Sequence, residues 1–177
     1  MDELERLFTN LDYFAKRASN IDLSEHSGIF RSKHIASDDN SEQRAYFCAV
    51  PKSNFICIGA AFPLLFIHCL HDFNEWEKNN TSHDVFDKTE WENELMTFWI
   101  PEFLGVSKGS TLAEYKTVKE DDFRSSWFSI ANKIAELAIL SPIKRIVRYG
   151  EINAWNIYNY LIETETEYID FQYWTTA

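Results

Sequence analysis

Residues 121–140, DDFRSSWFSIANKIAELAIL, carry the helical pattern on which the fold prediction rests. Apolar residues recur through this stretch at the three- and four-residue spacing of one helix face. Acidic residues at its start can cap the first turn, and Pro142 follows its end. We therefore predict a central helix over 120–140. The side chains predicted to be buried together on it are Trp127, Ile130, Ile134 and Leu137.

Four further segments show helical spacing, at 3–18, 63–77, 88–104 and 143–162. The first opens with acids that suit the positive end of a helix dipole, and Pro63 can occupy the first turn of the second. Residues 19–44 show no sustained period and predict an irregular connection. The chain is accordingly predicted to be mainly α, as a single compact helical domain over residues 1–177.

Two segments leave room for strands. Residues 45–59 fit either a small β-hairpin around the turn Pro-Lys-Ser-Asn or a helix end followed by a helix start. Residues 164–175 alternate in polarity and are rich in aromatic residues and threonine, which favours a C-terminal strand. An α+β fold is therefore the alternative to the mainly α prediction.

The composition limits the classes of partner. The 177 residues include 17 Lys and Arg against 28 Asp and Glu, a net charge of −11, which disfavours nucleic-acid binding. The start MDELERLF lacks the basic and apolar regions of a secretory signal, so we expect a cytoplasmic protein whose three cysteines stay reduced. The longest apolar run, 55–70, is too short to cross a bilayer, so we expect no membrane partner.

One short motif resembles that of a hydrolase. Residues 105–109, GVSKG, match the G-x-S-x-G pattern of a nucleophile elbow, but all five histidines precede Ser107 and the segment before it looks helical. We interpret the motif as a glycine loop that ends a helix. No catalytic residue and no cofactor are assigned.

A metal site is the basis of an alternative function. His68, Asp72 and Glu75 would share one helix face, and His71, His83 and Asp84 lie close in sequence. A small metal-dependent or carboxylate-dependent enzyme is therefore one alternative, and a helical scaffold or regulatory domain is another. Because the spacing is not H-E-x-x-H, we predict no metal and interpret His68 as a hydrogen-bonded, partly buried residue.

The acidic residues are concentrated in two aromatic-rich segments. Residues 72–102 contain nine acids and two bases, and residues 149–177 contain five acids and no base. Aromatic anchors surrounded by acids suit a basic protein partner, because the negative field speeds encounter and the rings bury much area. The predicted partner-binding residues are Asp84, Asp87, Trp91, Glu92, Glu94, Glu163, Glu165, Glu167, Tyr168 and Asp170.

This profile resembles that of the bacterial immunity proteins, which are small, acidic, aromatic-rich and cytoplasmic. The resemblance lies in HDFNEWEKNN at 71–80, DKTEWENELMTFW at 87–99 and ETETEYIDFQYW at 163–174, together with the lack of a catalytic motif. It implies a non-enzymatic inhibitor that binds a basic toxin, in particular a nuclease. Such an inhibitor acts by stoichiometric occlusion of the toxin's active site or of another essential surface.

Overall fold

The computed structural model of the chain describes residues 2–36, 43–80, 93, 95–106, 113–125, 129–154 and 156–175. Six strands form one antiparallel sheet. They are β1 (Arg31–Ala36), β2 (Gln43–Pro51), β3 (Tyr115–Thr117), β4 (Ile143–Tyr149), β5 (Ile157–Thr164) and β6 (Glu167–Thr175). Their order across the sheet is β1-β2-β6-β5-β4-β3, so the C-terminal strand β6 lies near the centre.

Helices cover both faces of this sheet. They are α1 (Glu3–Thr9), α2 (Leu11–Ser19), α3 (Ile58–Asn80), α4 (Ile100–Phe103), α5 (Glu120–Ser125) and α6 (Ser129–Ala138). A π-helical turn, Leu95–Trp99, leads directly into α4, and short 3-10 turns span Leu23–His26 and Lys52–Asn54. The first three helices pack on one face, and α5 and α6 pack on the other. The described part of the chain therefore has three layers.

The central strands are buried from both sides, which accounts for their composition. In β2, Tyr46, Cys48 and Val50 face the core of α1–α3. The alternate residues Phe47 and Ala49 face the core of α5 and α6. A strand covered on both faces shows a nearly continuous apolar run rather than alternation. This environment makes its sequence resemble that of a buried helix.

The mainly α prediction is therefore wrong, since the chain is an α+β protein with a six-stranded sheet. The predicted helix over 143–162 is two strands, β4 and β5, joined by a turn. Helical spacing arose there by coincidence, because Ile146 and Val147 are adjacent residues that point into opposite cores. The C-terminal strand is confirmed as β6.

The prediction of a β-hairpin over residues 45–59 is also wrong. Its first arm lies within β2, but its second arm turns into α3, which begins at Ile58, five residues before Pro63. The hairpin partner of β2 is β1, which lies inside the 19–44 segment predicted to be irregular. Gly59 permits this helix start, because a Cβ there would collide with the backbone of Leu4 in α1.

The remaining helices differ in detail from the predictions. The helix over 3–18 is broken at Asn10, whose side chain accepts a hydrogen bond from the Tyr13 amide, 2.9 Å away, and caps α2. Within 120–140, α5 ends at Ser125 and α6 begins at Ser129. Ile134 is buried as predicted, but Leu137 is 49% exposed, so that part of the core prediction is wrong.

Two of the helix and core predictions fall partly on residues that the structure does not describe. The predicted helix over 88–104 is described at residue 93 and from 95 onwards, where the π-helical turn and α4 occupy its end. The side chains of Trp127 and Ile130 lie outside the described set. Among the described residues, no helix combines the length and apolar character that crossing a membrane requires.

Candidate functional site

A row of polar and aromatic residues crosses the whole sheet on the face covered by α3. The strand registers align one residue from each strand in this row. Directly paired residues share a face of an antiparallel sheet, so these side chains are neighbours. The row comprises His34, Tyr46, Gln172, Asn159, Tyr149 and Tyr115. It is the floor on which the candidate site is built.

Above part of this row the structure has a cavity of about 740 Å³. This volume is within the range of pockets that hold small molecules or inserted side chains. Its walls are mainly aromatic, its floor includes amides, and its rim is charged. The residues that give it this character are Tyr46, Phe98, Trp99, Phe103, Trp174, Asn159, Gln172, His34, Arg44, Asp72, Glu102 and Glu151.

The aromatic wall is placed by the π-helical turn and α4. Trp99 is 6% exposed, and its ring lies 6.1 Å from that of Phe103. The wider π-helical turn shifts the direction of successive side chains, and such turns are frequent at functional sites. Here Phe98 and Trp99 both reach the cavity. Trp174 also lines the cavity, and the Arg44 guanidinium lies 5.2 Å from its ring centroid.

Two glycines have backbone conformations or contacts that let the end of α4 pack against the strands of the cavity floor. Gly105 ends α4 with a φ of 58°, and Val106 donates its amide to the Pro101 carbonyl at 2.9 Å, which confirms that a helix ends at this glycine, while residues 107–109 of the predicted loop lie outside the described residues. Gly150 has a φ of 85°. A Cβ there would lie 3.0 Å from both the Asn159 amide nitrogen and the Phe103 carbonyl oxygen, two groups that hydrogen-bond to each other. The absence of a side chain at Gly150 therefore leaves space for the Asn159–Phe103 hydrogen bond, which connects the floor of the cavity to its wall.

At the α3 side of the cavity, two histidines stay largely neutral. The Tyr46 hydroxyl and His68 Nδ1 lie 2.7 Å apart, and burial lowers the pKa of His68. His34 Nδ1 lies 3.7 Å from the Asp72 carboxylate, but burial lowers its pKa despite that charge. The hydrogen-bonded, partly buried state predicted for His68 is confirmed. Neither histidine adds a full positive charge near neutral pH.

Beside the floor, on the same face of the sheet, lies a buried carboxylate. Asp170 is fully buried, and burial raises its pKa to about 7 although two donors oppose that shift. Tyr149 donates its hydroxyl to Asp170 Oδ1 at 2.8 Å, and Gln172 donates its amide to Oδ2 at 3.1 Å. The same Gln172 nitrogen lies 3.2 Å from the Tyr149 hydroxyl. Gln172 thus links the cavity to an acid that titrates near neutral pH.

The structure places the predicted partner-binding residues as follows. Asp84, Asp87, Trp91, Glu92 and Glu94 lie outside the described residues, so their role stays a prediction. In the C-terminal group, three of the acids form salt bridges with Lys or Arg side chains. Glu163 pairs with Lys52, Glu165 with Lys144 at 2.9 Å, and Glu167 with Arg31 at 2.6 Å.

The last two predicted residues are inside the protein. Tyr168 is 4% exposed and Asp170 is fully buried. The alternation of β6 turns both toward the helices of the α3 face, where Tyr168 belongs to the core. In this structure neither side chain is presented to a partner. Glu165 of the same segment is exposed, so a role of Glu163, Glu165 and Glu167 in binding a partner stays a prediction.

The proposed metal ligands do not assemble among the described residues. No group of three or more His, Cys, Asp or Glu side chains there could hold a metal ion. Within the candidate set, His68 contacts Tyr46, whereas Asp72 lies beside His34. The side chain of Glu75, and residues His83 and Asp84, lie outside the description.

Sequence reasoning missed most of the cavity. Its floor residues His34, Tyr46, Gln172 and Asn159 come from four strands, of which β5 was predicted as part of a helix and β1 as part of an irregular connection. The available signal was the cluster of amides and tyrosines among β-formers, Tyr158-Asn159-Tyr160 and Phe171-Gln172-Tyr173. No protein-family model matches the chain, and no curated protein or solved structure is significantly similar to it.

Proposed function

We propose that this protein binds a basic protein partner and neutralises it by occlusion, in the manner of an immunity protein against a toxin. The observation that carries the proposal is the aromatic cavity with carboxylates at its mouth. Asp72, Glu102 and Glu151 border it, with Arg44 as the cation among its lining residues that the structure describes. Such a surface attracts positive charge and provides rings that anchor an interface.

The acidic character continues beyond the cavity. Glu102 and Glu151 also border a second, more open depression of about 470 Å³, which Glu114 joins. All three acids therefore lie on one continuous side of the molecule. This location replaces the C-terminal segment as the centre of the proposed contact, because the acids of that segment pair with cations of the same chain.

The two alternatives gain less support. A carboxylate-dependent enzyme gains no support from Asp170, whose pKa is about 7, because this carboxyl has no exposed surface and cannot touch a substrate. A helical scaffold does not fit a chain whose centre is a six-stranded sheet. The cavity supports binding as the simplest use of these residues.

The test combines partner identification with charge reversal. The tagged protein would be purified from its source cells, and the bound protein would be identified and produced separately. We expect that partner to be basic and toxic when produced alone, and growth to recover on co-production. Glu102→Lys combined with Glu151→Lys should weaken that rescue. Glu136→Lys is the matched control, because Glu136 is an exposed acid on α6, on the other face of the sheet.

Association rates give the second measurement. Raising the salt from about 50 to about 500 mM shortens the Debye length roughly threefold, so association of the wild-type pair should slow roughly tenfold or more. The double variant should associate slowly at both concentrations. A partner without net positive charge, or an association rate that salt does not change, would contradict the proposal.

A further inference from the structure

The polar atoms that the cavity offers are mainly acceptors. Asn159 donates its amide nitrogen to the Phe103 carbonyl oxygen at 3.3 Å. Gln172 directs its amide nitrogen to Asp170 and Tyr149. Gln172 thus uses both hydrogens of its amide nitrogen within the protein and Asn159 uses one of its two, so the carbonyl oxygens of these residues outnumber the N–H groups left for a ligand. A ligand that complements this floor must be rich in donors.

The charges at the mouth select a cation. Three carboxylates, those of Asp72, Glu102 and Glu151, oppose the single guanidinium of Arg44. His34 adds little positive charge, because burial lowers its pKa. The net charge of these described groups is −2. This negative charge favours a positive ligand over a neutral or anionic one.

The aromatic wall distinguishes between kinds of cation. A guanidinium is flat, carries five donors and no acceptor, and stacks on aromatic rings, whereas an ammonium is a compact and strongly hydrated charge. The structure already shows one guanidinium against a ring of the cavity lining, where Arg44 lies over Trp174. Trp99 and Phe103 also line the cavity, with their rings 6.1 Å apart. Rings, carboxylates and carbonyl acceptors together match a guanidinium.

We propose that the cavity receives one arginine side chain of the partner protein, with its guanidinium against Trp99 and Trp174 and its donors directed to the carboxylates and amide oxygens. This inference rests on the proposed function, since it specifies how the basic partner is anchored. The volume of about 740 Å³ leaves room for an arginine side chain together with the adjoining backbone. The occupant is therefore an arginine on a protruding segment of the partner.

The direct test uses three blocked tripeptides, acetyl-Gly-Xaa-Gly-amide, in which Xaa is arginine, lysine or citrulline. Citrulline keeps the shape of arginine and removes the charge. Binding would be followed by NMR through the indole signals of Trp99 and Trp174 and the side-chain amide signals of Asn159 and Gln172. We expect the arginine peptide to cause saturable shifts of these signals. The lysine peptide should bind with a Kd about fivefold higher or more, and the citrulline peptide should cause no specific shifts.

Variants test whether the peptide occupies this cavity. Glu102→Gln with Glu151→Gln should weaken arginine-peptide binding about fivefold, whereas Glu136→Gln should leave it unchanged. Trp174→Leu should weaken it further while a circular-dichroism spectrum confirms folding. Equal shifts with arginine and citrulline, or no shift at Trp99 and Trp174 up to about 20 mM peptide, a concentration well above an expected millimolar Kd, would overturn the inference.

These experiments distinguish a failure of the arginine site from a failure of the proposed inhibitor function. If a basic partner binds wild-type protein and the Trp174→Leu variant equally well, the arginine site is wrong and the inhibitor proposal stands. If the arginine peptide binds as expected but the bound protein from cells is neither basic nor toxic, the proposed function is wrong. In that case the cation site stands as a property of the fold.

Discussion

At the scale of single residues, Asp170 makes folding stability depend on pH. The pKa of this carboxyl is about 7 in the folded protein, against an ordinary value of 3.8. Between those values the folded chain keeps a proton that the unfolded chain releases, so the free energy of unfolding falls as pH rises. The contribution is complete below the lower value, is lost as pH passes through about 7, and is on the order of 4 kcal/mol.

The matching prediction concerns Asp170→Asn. An amide does not titrate, and it can still accept the Tyr149 hydrogen bond if Gln172 turns its own amide group. The fall in unfolding free energy between about pH 4 and 7 should therefore shrink, as measured by urea denaturation at several pH values. Glu136→Gln, which changes an exposed acid, should keep the wild-type slope. An unchanged slope in Asp170→Asn would show that other groups cause it.

At the scale of elements, α6 is held to the sheet by one face only. Ile134 is fully buried against the sheet, whereas Leu137 is 49% exposed, although both were predicted to lie in the core. Ile134→Ala should lower the free energy of unfolding by about 2–5 kcal/mol through lost burial and a cavity. Leu137→Ala should cost about 1 kcal/mol or less. Urea denaturation of the two variants measures both, and equal losses would contradict this packing.

A second element-scale contact is the clamp formed by Arg31 on β1. Its guanidinium donates to the Leu137 and Ala138 carbonyls at the end of α6, at 2.6 and 2.8 Å. It also binds both carboxylate oxygens of Glu167 on β6. One side chain thus connects the edge strand, a helix C-terminus and a central strand.

Arg31→Lys tests this clamp. Lysine keeps the charge but cannot form the fork of parallel hydrogen bonds, so the variant should lose about 1.5–3 kcal/mol of unfolding free energy. Lys33→Ala on the same strand is the comparison, because Lys33 is exposed. Its loss should stay within about 0.5 kcal/mol. A comparable loss in both variants would indicate strand propensity rather than the clamp.

At the scale of the whole molecule, both helical layers share the same sheet. Strand β2 contributes Cys48 to one core and Phe47 to the other. Neither layer can separate without exposing strands that the other also needs, so we expect one cooperative unfolding transition. Far-ultraviolet circular dichroism and tryptophan fluorescence should give the same urea midpoint. Two separated midpoints would argue against the single domain predicted over residues 1–177.

Much of the local structure could be predicted from the sequence, since local groups determine it. The start of α1 follows from the acids at the beginning of the chain, and the end of α4 follows from Gly105, whereas the break at Asn10, which caps α2, was not predicted. Strand β6 could be predicted from its polarity pattern and aromatic content, and the helical spacing placed Ile134 in the core. The caps and the glycine act within a few residues of their partners, and the β6 and Ile134 predictions needed only the local pattern of polarity.

The candidate site could not be predicted in this way. Its floor depends on His34, Tyr46, Gln172 and Asn159 meeting through strand registers, and those residues span more than a hundred positions of the chain. Burial on both faces also removed the alternation that identifies a strand, so β4 and β5 carried helix-like spacing. The missing information was which segments become neighbours.

The sequence by itself determined the net charge of −11, the caps that begin and end helices, and the apolar content of the core segments. Only the tertiary structure decided which acids pair with cations and which segments are strands. Lys52, Lys144 and Arg31 neutralise acids around β6, and Asp170 is enclosed. The physical reason is that charge pairing, burial and strand partnership depend on distances in space, which long-range packing sets.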